Sequence, residues 1–113
     1  MSRFSRGEVW LAHLGKSRGR EQAGTRPLLV ISDDRFNNGP AELIIGIPLT
    51  TTDRRIISHV PVQAQEGGVK RDSFIMCEQV RSLSRERMLS RLGSVERDTM
   101  SVVEHILRVL CRI

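Results

Sequence analysis

The sequence predicts a mainly β (α+β) fold, a small antiparallel β-barrel with one C-terminal helix packed on the sheet. Short apolar runs recur along most of the chain and are separated by turn residues. The last segment instead carries apolar residues at helical spacing. The chain of 113 residues can build one modest core, and no linker or internal repeat divides it, so residues 1–113 are expected to form a single domain.

The predicted strands are short and cover about residues 7–13, 27–33, 42–49, 58–63 and 73–83. Between them, Asn37-Asn38-Gly39-Pro40 and Gly67-Gly68 are strong turn signals. Tight turns join antiparallel neighbours, so we expect an antiparallel sheet.

Two helices are predicted after the strands. Residues 84–91 have the composition of a short helix, with Ser84 as the N-cap. Residues 95–112 show a clearer apolar stripe, formed by Met100, Val103, Leu107 and Leu110 and widened by Val102 and Ile106. The sheet is the natural partner of this stripe, and core packing is favoured over a purely intermolecular role.

The composition favours a polyanionic partner. The formal net charge is +5, and sixteen of the eighteen cations are arginines. Arginine grips planar phosphate or carboxylate groups better than lysine does, which suits RNA or an acidic peptide, although coding bias could also produce this ratio. Aromatic residues make up only 4% of the chain and tyrosine is absent, so a base-stacking platform is not expected.

The sequence contains no apolar run long enough to span a bilayer and no hydrophobic signal core, which predicts a cytoplasmic protein without a membrane partner. Cys77 and Cys111 form no CxxC motif and have no histidine at metal spacing. We therefore expect two reduced, partly buried thiols and neither a metal nor a cofactor.

The most informative segment is the loop at residues 19–27, in which glycines and charges precede an apolar strand. Pro27 restricts its own backbone and that of Arg26, so the Arg26 guanidinium is expected at a defined strand start. A fixed guanidinium can bind phosphate and stabilise negative charge in a transition state. The alternative is a solvated hairpin loop whose arginines only maintain solubility.

Four ordered blocks of sequence carry a family resemblance. They are RGEVW at 6–10, GREQAGTRP followed by LLVIS at 19–32, IPLT at 47–50 and RDSFIMCEQVRSL at 71–83. The chain resembles the MazF/PemK toxins of bacterial toxin–antitoxin pairs over almost its whole length. The resemblance implies the SH3-like barrel of the CcdB/MazF type, a homodimer, cleavage of single-stranded messenger RNA without a metal, and inhibition by an acidic, MazE-like antitoxin.

RNA cleavage without a metal requires an activated ribose 2′-oxygen, stabilised phosphorane charge and a protonated leaving oxygen. By resemblance, Arg26 is the catalytic arginine that stabilises the charge. Thr50, at the end of the IPLT block, is its partner for a phosphate oxygen. Glu21 matches the glutamate of the family's loop, where it could act as a base or orient Arg26, and both readings stay open.

Further polar residues are candidates for RNA contact: Arg20, Gln22, Thr51, Arg54, Glu78, Gln79 and Arg81. Arg54 lies in the Asp53-Arg54-Arg55 segment, which could close over RNA or form a solvated turn. On a strand, Gln79 and Arg81 would share one face while Glu78 shares the other face with Val80. A purely structural role on the sheet surface fits the same spacing.

Some plasmid-encoded relatives use an aspartate, an arginine and a histidine at the positions held here by Glu78, Met76 and Arg20. This sequence departs at all three, which favours the scheme based on Arg26 and Thr50. No spacing supports a histidine acid–base pair, so His13, His59 and His105 are expected to be structural or exposed.

Three functions follow from these observations. The first is a toxin endoribonuclease that leaves 2′,3′-cyclic phosphate and 5′-hydroxyl ends and inhibits translation and growth. The second is a non-enzymatic, CcdB-like poison of DNA gyrase, which would not need Arg26 and would act through the C-terminal helix. The third is an RNA-binding module without activity.

Overall fold

The computed structural model describes residues 3–16 and 18–113. This part of the chain forms seven strands and two α-helices: β1 (Glu8–His13), β2 (Thr25–Val30), α1 (Asp34–Asn37), β3 (Leu43–Thr50), β4 (His59–Val62), β5 (Ser73–Met76), β6 (Arg81–Ser84), β7 (Met88–Ser94) and α2 (Arg97–Cys111).

The strands form one antiparallel sheet in the order β4-β5-β3-β2-β1-β7. β3 is the central element because it pairs with β2 along one side and with both β5 and β6 along the other. β2 therefore lies between β1 and β3, and the predicted catalytic Arg26 stands on an interior strand rather than on an edge.

The two ends of the sheet, β4 and β7, meet at the 3-10 turn Glu66–Gly68, which follows β4. Gly68 has φ +77°, and a Cβ there would lie 2.1 Å from the carbonyl oxygen of Leu92 on β7. The Glu66 carboxylate accepts hydrogen bonds from the backbone N–H of Glu96, at 3.0 Å, and from the Thr99 hydroxyl, at 2.5 Å. This contact curls the sheet into a small barrel and confirms the predicted mainly β fold.

Successive side chains of a strand point to opposite faces of the sheet. Both faces of the central strands are covered by buried side chains. Leu28 and Ile44 belong to one buried cluster together with Phe4 and Trp10. The other face contributes a second buried cluster, which includes Leu29, Ile47, Leu49, Ile75 and, from α2, Met100 and Val103. The helix is thus packed on the sheet as predicted.

The α2 helix agrees closely with the predicted range of 95–112. Met100 and Val103 are buried, and Ile106 and Leu107 pack partly against the core. Leu110 was predicted to belong to the same stripe, but it is 48% exposed. The whole last turn lies outside the core.

The predicted helix at 84–91 is wrong. The chain makes a single 3-10 turn, Arg85–Arg87, and β7 begins at Met88. Ser84 does cap this turn, because its hydroxyl accepts a hydrogen bond from the backbone N–H of Glu86 at 3.3 Å. Pairing of β7 with β1 outweighs the local preference for helix in this charged segment.

The predicted strand at 73–83 is interrupted by a 3-10 turn at Cys77–Gln79. Both halves pair with β3, but Leu49 is opposite Ile75 whereas Gly46 is opposite Arg81, so the turn inserts three residues into the register. The strand alternation predicted for Glu78 and Gln79 is therefore wrong, because neither residue lies on a strand.

The thiols also differ from the expectation of partial burial. Cys77 is fully buried at the β5 end, and Cys111 is exposed on α2. His13 and His105 are exposed. None of the helices in residues 3–16 and 18–113 is long and apolar enough to cross a membrane.

Candidate active site

The loop between β1 and β2 is closed at its base by two backbone hydrogen bonds. The N–H of Leu14 donates to the Gly24 carbonyl at 2.8 Å, and the N–H of Gly24 donates to the Gly15 carbonyl at 2.9 Å. Gly24 has φ +74°, a conformation that glycine adopts without steric cost. The loop therefore delivers the chain onto β2 in a fixed direction.

Arg26 is half-buried on β2, opposite Ala12 of β1. Its Nε donates to the carbonyl oxygen of Ala23 at 3.0 Å, which holds the guanidinium against the loop. Among the residues that the structure describes, the two terminal nitrogens of Arg26 have no protein acceptor. These nitrogens are the pair that can bind two oxygens of one phosphate.

Thr50 is the last residue of β3 and is 5% exposed. The register pairs Leu28 with Pro48, and its continuation by two residues brings Arg26 level with Thr50. The Thr50 hydroxyl oxygen accepts a hydrogen bond from the backbone N–H of Thr52 at 3.2 Å, so the hydroxyl keeps its proton for another acceptor.

These two residues line one cleft of about 290 Å³. Its wall consists of Ala23, Gly24, Thr25, Arg26, Pro27, Leu49, Thr50, Thr51 and Ser73. Thr51, predicted to contact RNA, is at this cleft. Sequence reasoning missed Thr25 and Ser73, although both lie inside the blocks that carried the resemblance.

A second cleft of about 400 Å³ is lined by Glu21, Glu78, Gln79, Val80, Arg81 and Ser82. Glu21 lies here rather than at the Arg26 cleft, and it is exposed. In the described part of the chain, no ion pair joins Glu21 to Arg26. The structure thus brings together Arg26, Thr50 and Thr51 in one cleft and Glu21, Glu78, Gln79 and Arg81 in the other.

The remaining predicted residues lie in or beside the loops. The carbonyl of Arg20 accepts a hydrogen bond from Gln79 Nε2 at 2.9 Å, while the Arg20 side chain is exposed. Gln22 is only 6% exposed, so its side chain is buried within the loop. Arg54 is exposed on the connection from β3 to β4.

Both carboxylate oxygens of Glu78 bind protein donors. Oε1 accepts from the Ser58 hydroxyl at 2.6 Å, and Oε2 lies 2.7 Å from His59 Nε2. Burial raises the pKa of Glu78, but the hydrogen bonds from Ser58 and His59 outweigh it and hold that pKa below the ordinary 4.5. Sequence reasoning missed this cluster because some twenty residues separate the partners, with no local signal.

The arginines at the clefts carry uncompensated charge. Within residues 3–16 and 18–113, ion pairs occupy Arg6, Arg35, His59, Arg85 and Arg91. Arg20, Arg26, Arg54 and Arg81 are not among them. A positive potential near the Arg26–Thr50 cleft would attract a polyanion and raise its rate of encounter.

The fold and the cleft define a class of protein: a small, basic β-barrel in which an arginine and a threonine on neighbouring strands line one cleft. The sequence profile of the family described as PemK-like, MazF-like toxin of type II toxin-antitoxin system matches residues 5–111. The chain belongs to this family.

One relative agrees with this assignment, and solved structures share the fold. The chain is 31% identical over 105 residues to endoribonuclease EndoA of Bacillus subtilis (strain 168), a match that covers 92% of this chain and 90% of the relative. The crystal structure of MazF from Deinococcus radiodurans has a TM-score of 0.89 at 24% identity and covers 100% of both chains. A MazE-MazF structure from D. radiodurans has a TM-score of 0.82 at 25% identity and covers 100% of this chain and 99% of that one.

Proposed function

We propose that the chain is the toxin of a toxin–antitoxin pair and acts as a sequence-specific, metal-independent endoribonuclease on single-stranded RNA, with messenger RNA as the target. The observation that carries the proposal is the position of Arg26 level with Thr50 in one cleft, in a chain that belongs to the PemK-like and MazF-like toxins. Cleavage of messenger RNA would stop translation and growth.

The reaction is a transfer of the phosphoryl group within the RNA. The ribose 2′-oxygen loses its proton and attacks phosphorus, and the bond from phosphorus to the 5′-oxygen breaks as that oxygen gains a proton. The products are a 2′,3′-cyclic phosphate and a 5′-hydroxyl. The Arg26 guanidinium binds the charge that grows on the phosphorane oxygens, and the Thr50 hydroxyl donates to one of them.

Glu21 is the candidate base, but it lines the second cleft rather than the cleft that contains Arg26. The Glu21 carboxylate must approach the 2′-oxygen to within hydrogen-bond distance once RNA is bound. Because Glu21 is exposed, rotation of its side chain toward an RNA that lies across both clefts would meet this condition while the loop backbone stays in place.

The positive charge near the clefts and the apolar residues exposed on α2 indicate two protein partners, an antitoxin and a second copy of the chain. An acidic, MazE-like antitoxin would neutralise the exposed arginines near the clefts and exclude RNA, in keeping with the related structures that contain MazE and MazF together. We further propose that the protein is a homodimer of single-domain chains and acts in the cytoplasm. Val102, Val109 and Leu110, which are 48 to 62% exposed on α2, offer apolar area for a partner subunit.

The test is incubation with a long single-stranded RNA in EDTA, followed by mapping of the cut sites and chemical identification of the ends. Wild type, Arg26→Ala and Arg35→Ala are compared, because Arg35 is an exposed arginine on α1 that does not line the cleft. The proposal expects discrete cuts with cyclic phosphate ends that vanish only in Arg26→Ala. Growth arrest without RNA cutting would favour the gyrase poison, and RNA binding with neither effect would favour the inactive module.

A further inference from the structure

The 3-10 turn Cys77–Gln79 makes side-chain hydrogen bonds to two segments that adjoin the Arg26–Thr50 cleft. One of these is the connection at 51–57, which leaves β3 directly after Thr50 and ends directly before Ser58. The other is the stretch at 18–24, which leads into β2 and carries Ala23 and Gly24 on the cleft wall. The turn contacts both through consecutive side chains.

Glu78 holds the first of these loops. Ser58 and His59 follow the connection immediately, and both donate to the Glu78 carboxylate, at 2.6 and 2.7 Å. The His59 side chain is only 3% exposed, and its other ring nitrogen, Nδ1, is buried without a hydrogen-bond partner in the described structure. His59 is therefore fixed through its Nε2 bond to Glu78, since no second polar contact orients the ring.

Gln79 holds the second loop. Its Nε2 donates to the carbonyl oxygen of Arg20 at 2.9 Å, across 59 residues of sequence. Three residues further along, the carbonyl of Ala23 accepts the hydrogen bond from Arg26 Nε. The Gln79 bond thus fixes the backbone that in turn orients the catalytic guanidinium.

We propose that Glu78 and Gln79 are positioning residues that fasten the two loops flanking the cleft to one rigid turn. The turn itself is rigid because β5 and β6, on either side of it, both pair with β3. The role assigned here rests on the proposed ribonuclease function. It differs from direct RNA contact, since both carboxylate oxygens of Glu78 and Nε2 of Gln79 already bind protein groups.

The experiment measures amide hydrogen exchange and RNA cleavage on the same variants. Gln79→Met keeps the length of the side chain and removes the donor to Arg20. His59→Leu removes the donor to Glu78, His59→Gln restores one, and Ser58→Ala is a milder variant that keeps the core filled. Gln63→Met, at an exposed position outside both clefts, is the matched control for Gln79→Met.

We expect two separate patterns of exchange. Gln79→Met should increase exchange in residues 18–24 only, and His59→Leu and Ser58→Ala should increase it in residues 51–58 only. Loss of one such bond should lower kcat/KM for the RNA about 10-fold. In His59→Leu and Ser58→Ala the loss should arise mainly through KM, whereas in Gln79→Met it should also lower kcat, because the loop at 18–24 orients the Arg26 guanidinium. His59→Gln should recover most of that loss.

Unchanged exchange in these segments would overturn the proposal, as would increased exchange with unchanged kcat/KM. Retention of wild-type exchange in Gln79→Met and Ser58→Ala with a loss of cleavage would show that these residues contact RNA instead. A failure of the ribonuclease assignment is distinct, because wild type would then make no discrete cuts, or cuts that survive in Arg26→Ala, whatever the exchange pattern of the loops.

Discussion

Arg26 and Thr50 each lie two residues beyond the last pair of the β2–β3 register, Leu28 and Pro48, and both line one cleft. Residues opposite each other in a sheet point to the same face. The hydrogen bond from Arg26 Nε to the Ala23 carbonyl and the bond from the Thr52 N–H to the Thr50 hydroxyl aim both groups at one cleft. Strand pairing therefore brings the two residues close together, and the adjoining loop residues orient their side chains.

Replacement of Thr50 by valine tests the role of the hydroxyl. Valine keeps the shape of threonine, so the fold should persist while one donor to the phosphorane oxygen is lost. We expect kcat for RNA cleavage to fall about 10- to 100-fold with little change in KM, because the bond is strongest in the transition state. Single-turnover cleavage of a defined RNA at saturating protein gives this rate.

Thr50→Ser is the matched control, since it keeps the hydroxyl and should stay within a few-fold of wild type. Equal rates for the serine and valine variants would remove the hydroxyl from the mechanism. Circular dichroism and the unfolding midpoint show whether either variant has lost its fold.

The approximate positions of the first five strands and the α2 helix could be predicted because each depends on a local pattern. Apolar runs and turns marked the strands, and helical spacing marked Met100 and Val103 as core. Family resemblance singled out Arg26 and Thr50. Their alignment on one face then follows from the strand pairing that the structure reveals.

Other features depend on distant partners and leave no local trace. The segment after Ser84 reads as a helix but forms β7, because β1 offers it a free edge. The turn at Cys77–Gln79 is invisible in the sequence, since it arises from a three-residue shift in pairing with β3. The bonds from Ser58 and His59 to Glu78 exist only because that turn places the carboxylate beside β4.

Gly46→Ala should destabilise the fold, because the new methyl group on β3 would clash with β2, the strand that carries Arg26. A Cβ at this position would lie 2.5 Å from Leu28 Cδ2 and 3.0 Å from the Leu29 carbonyl oxygen. Both strands are buried, so the neighbours have little room to move, and we expect a loss of about 1–3 kcal/mol in the free energy of unfolding. Urea unfolding followed by Trp10 fluorescence measures it.

A double-mutant cycle provides the control. Leu28→Val shortens the side chain that meets the new methyl group, so the cost of Gly46→Ala should be smaller in that background. An equal cost in both backgrounds would place the strain elsewhere, at the Leu29 carbonyl.

The two thiols should differ sharply in reactivity. Cys77 is fully buried, and burial together with the nearby Glu78 carboxylate raises the pKa of its thiol to about 11. The thiolate is the reactive form, so Cys77 should be inert at pH 8, whereas the exposed Cys111 reacts. Titration with a thiol reagent should count one group per native chain and two after denaturation, and Cys111→Ser should reduce the native count to zero. Rapid modification of Cys77 in the native Cys111→Ser variant would contradict this description of the β5 end.

Stability should depend on pH through Glu78. The hydrogen bonds from Ser58 and His59 hold the pKa of Glu78 below the 4.5 that it regains on unfolding, although burial opposes them. A carboxyl group whose pKa is lower in the folded state stabilises the fold above its unfolded pKa, and this contribution disappears as pH falls through the folded pKa. Urea unfolding of wild type should therefore show a midpoint that declines below about pH 4.5.

Because other carboxylates titrate in the same range, the informative quantity is the difference in unfolding midpoint between wild type and Glu78→Gln, which cannot ionise at this position. That difference should be largest near neutral pH and shrink as the solution is acidified. A constant difference across the range would mean that Glu78 acts through hydrogen-bond geometry alone and that its charge contributes nothing to the fold.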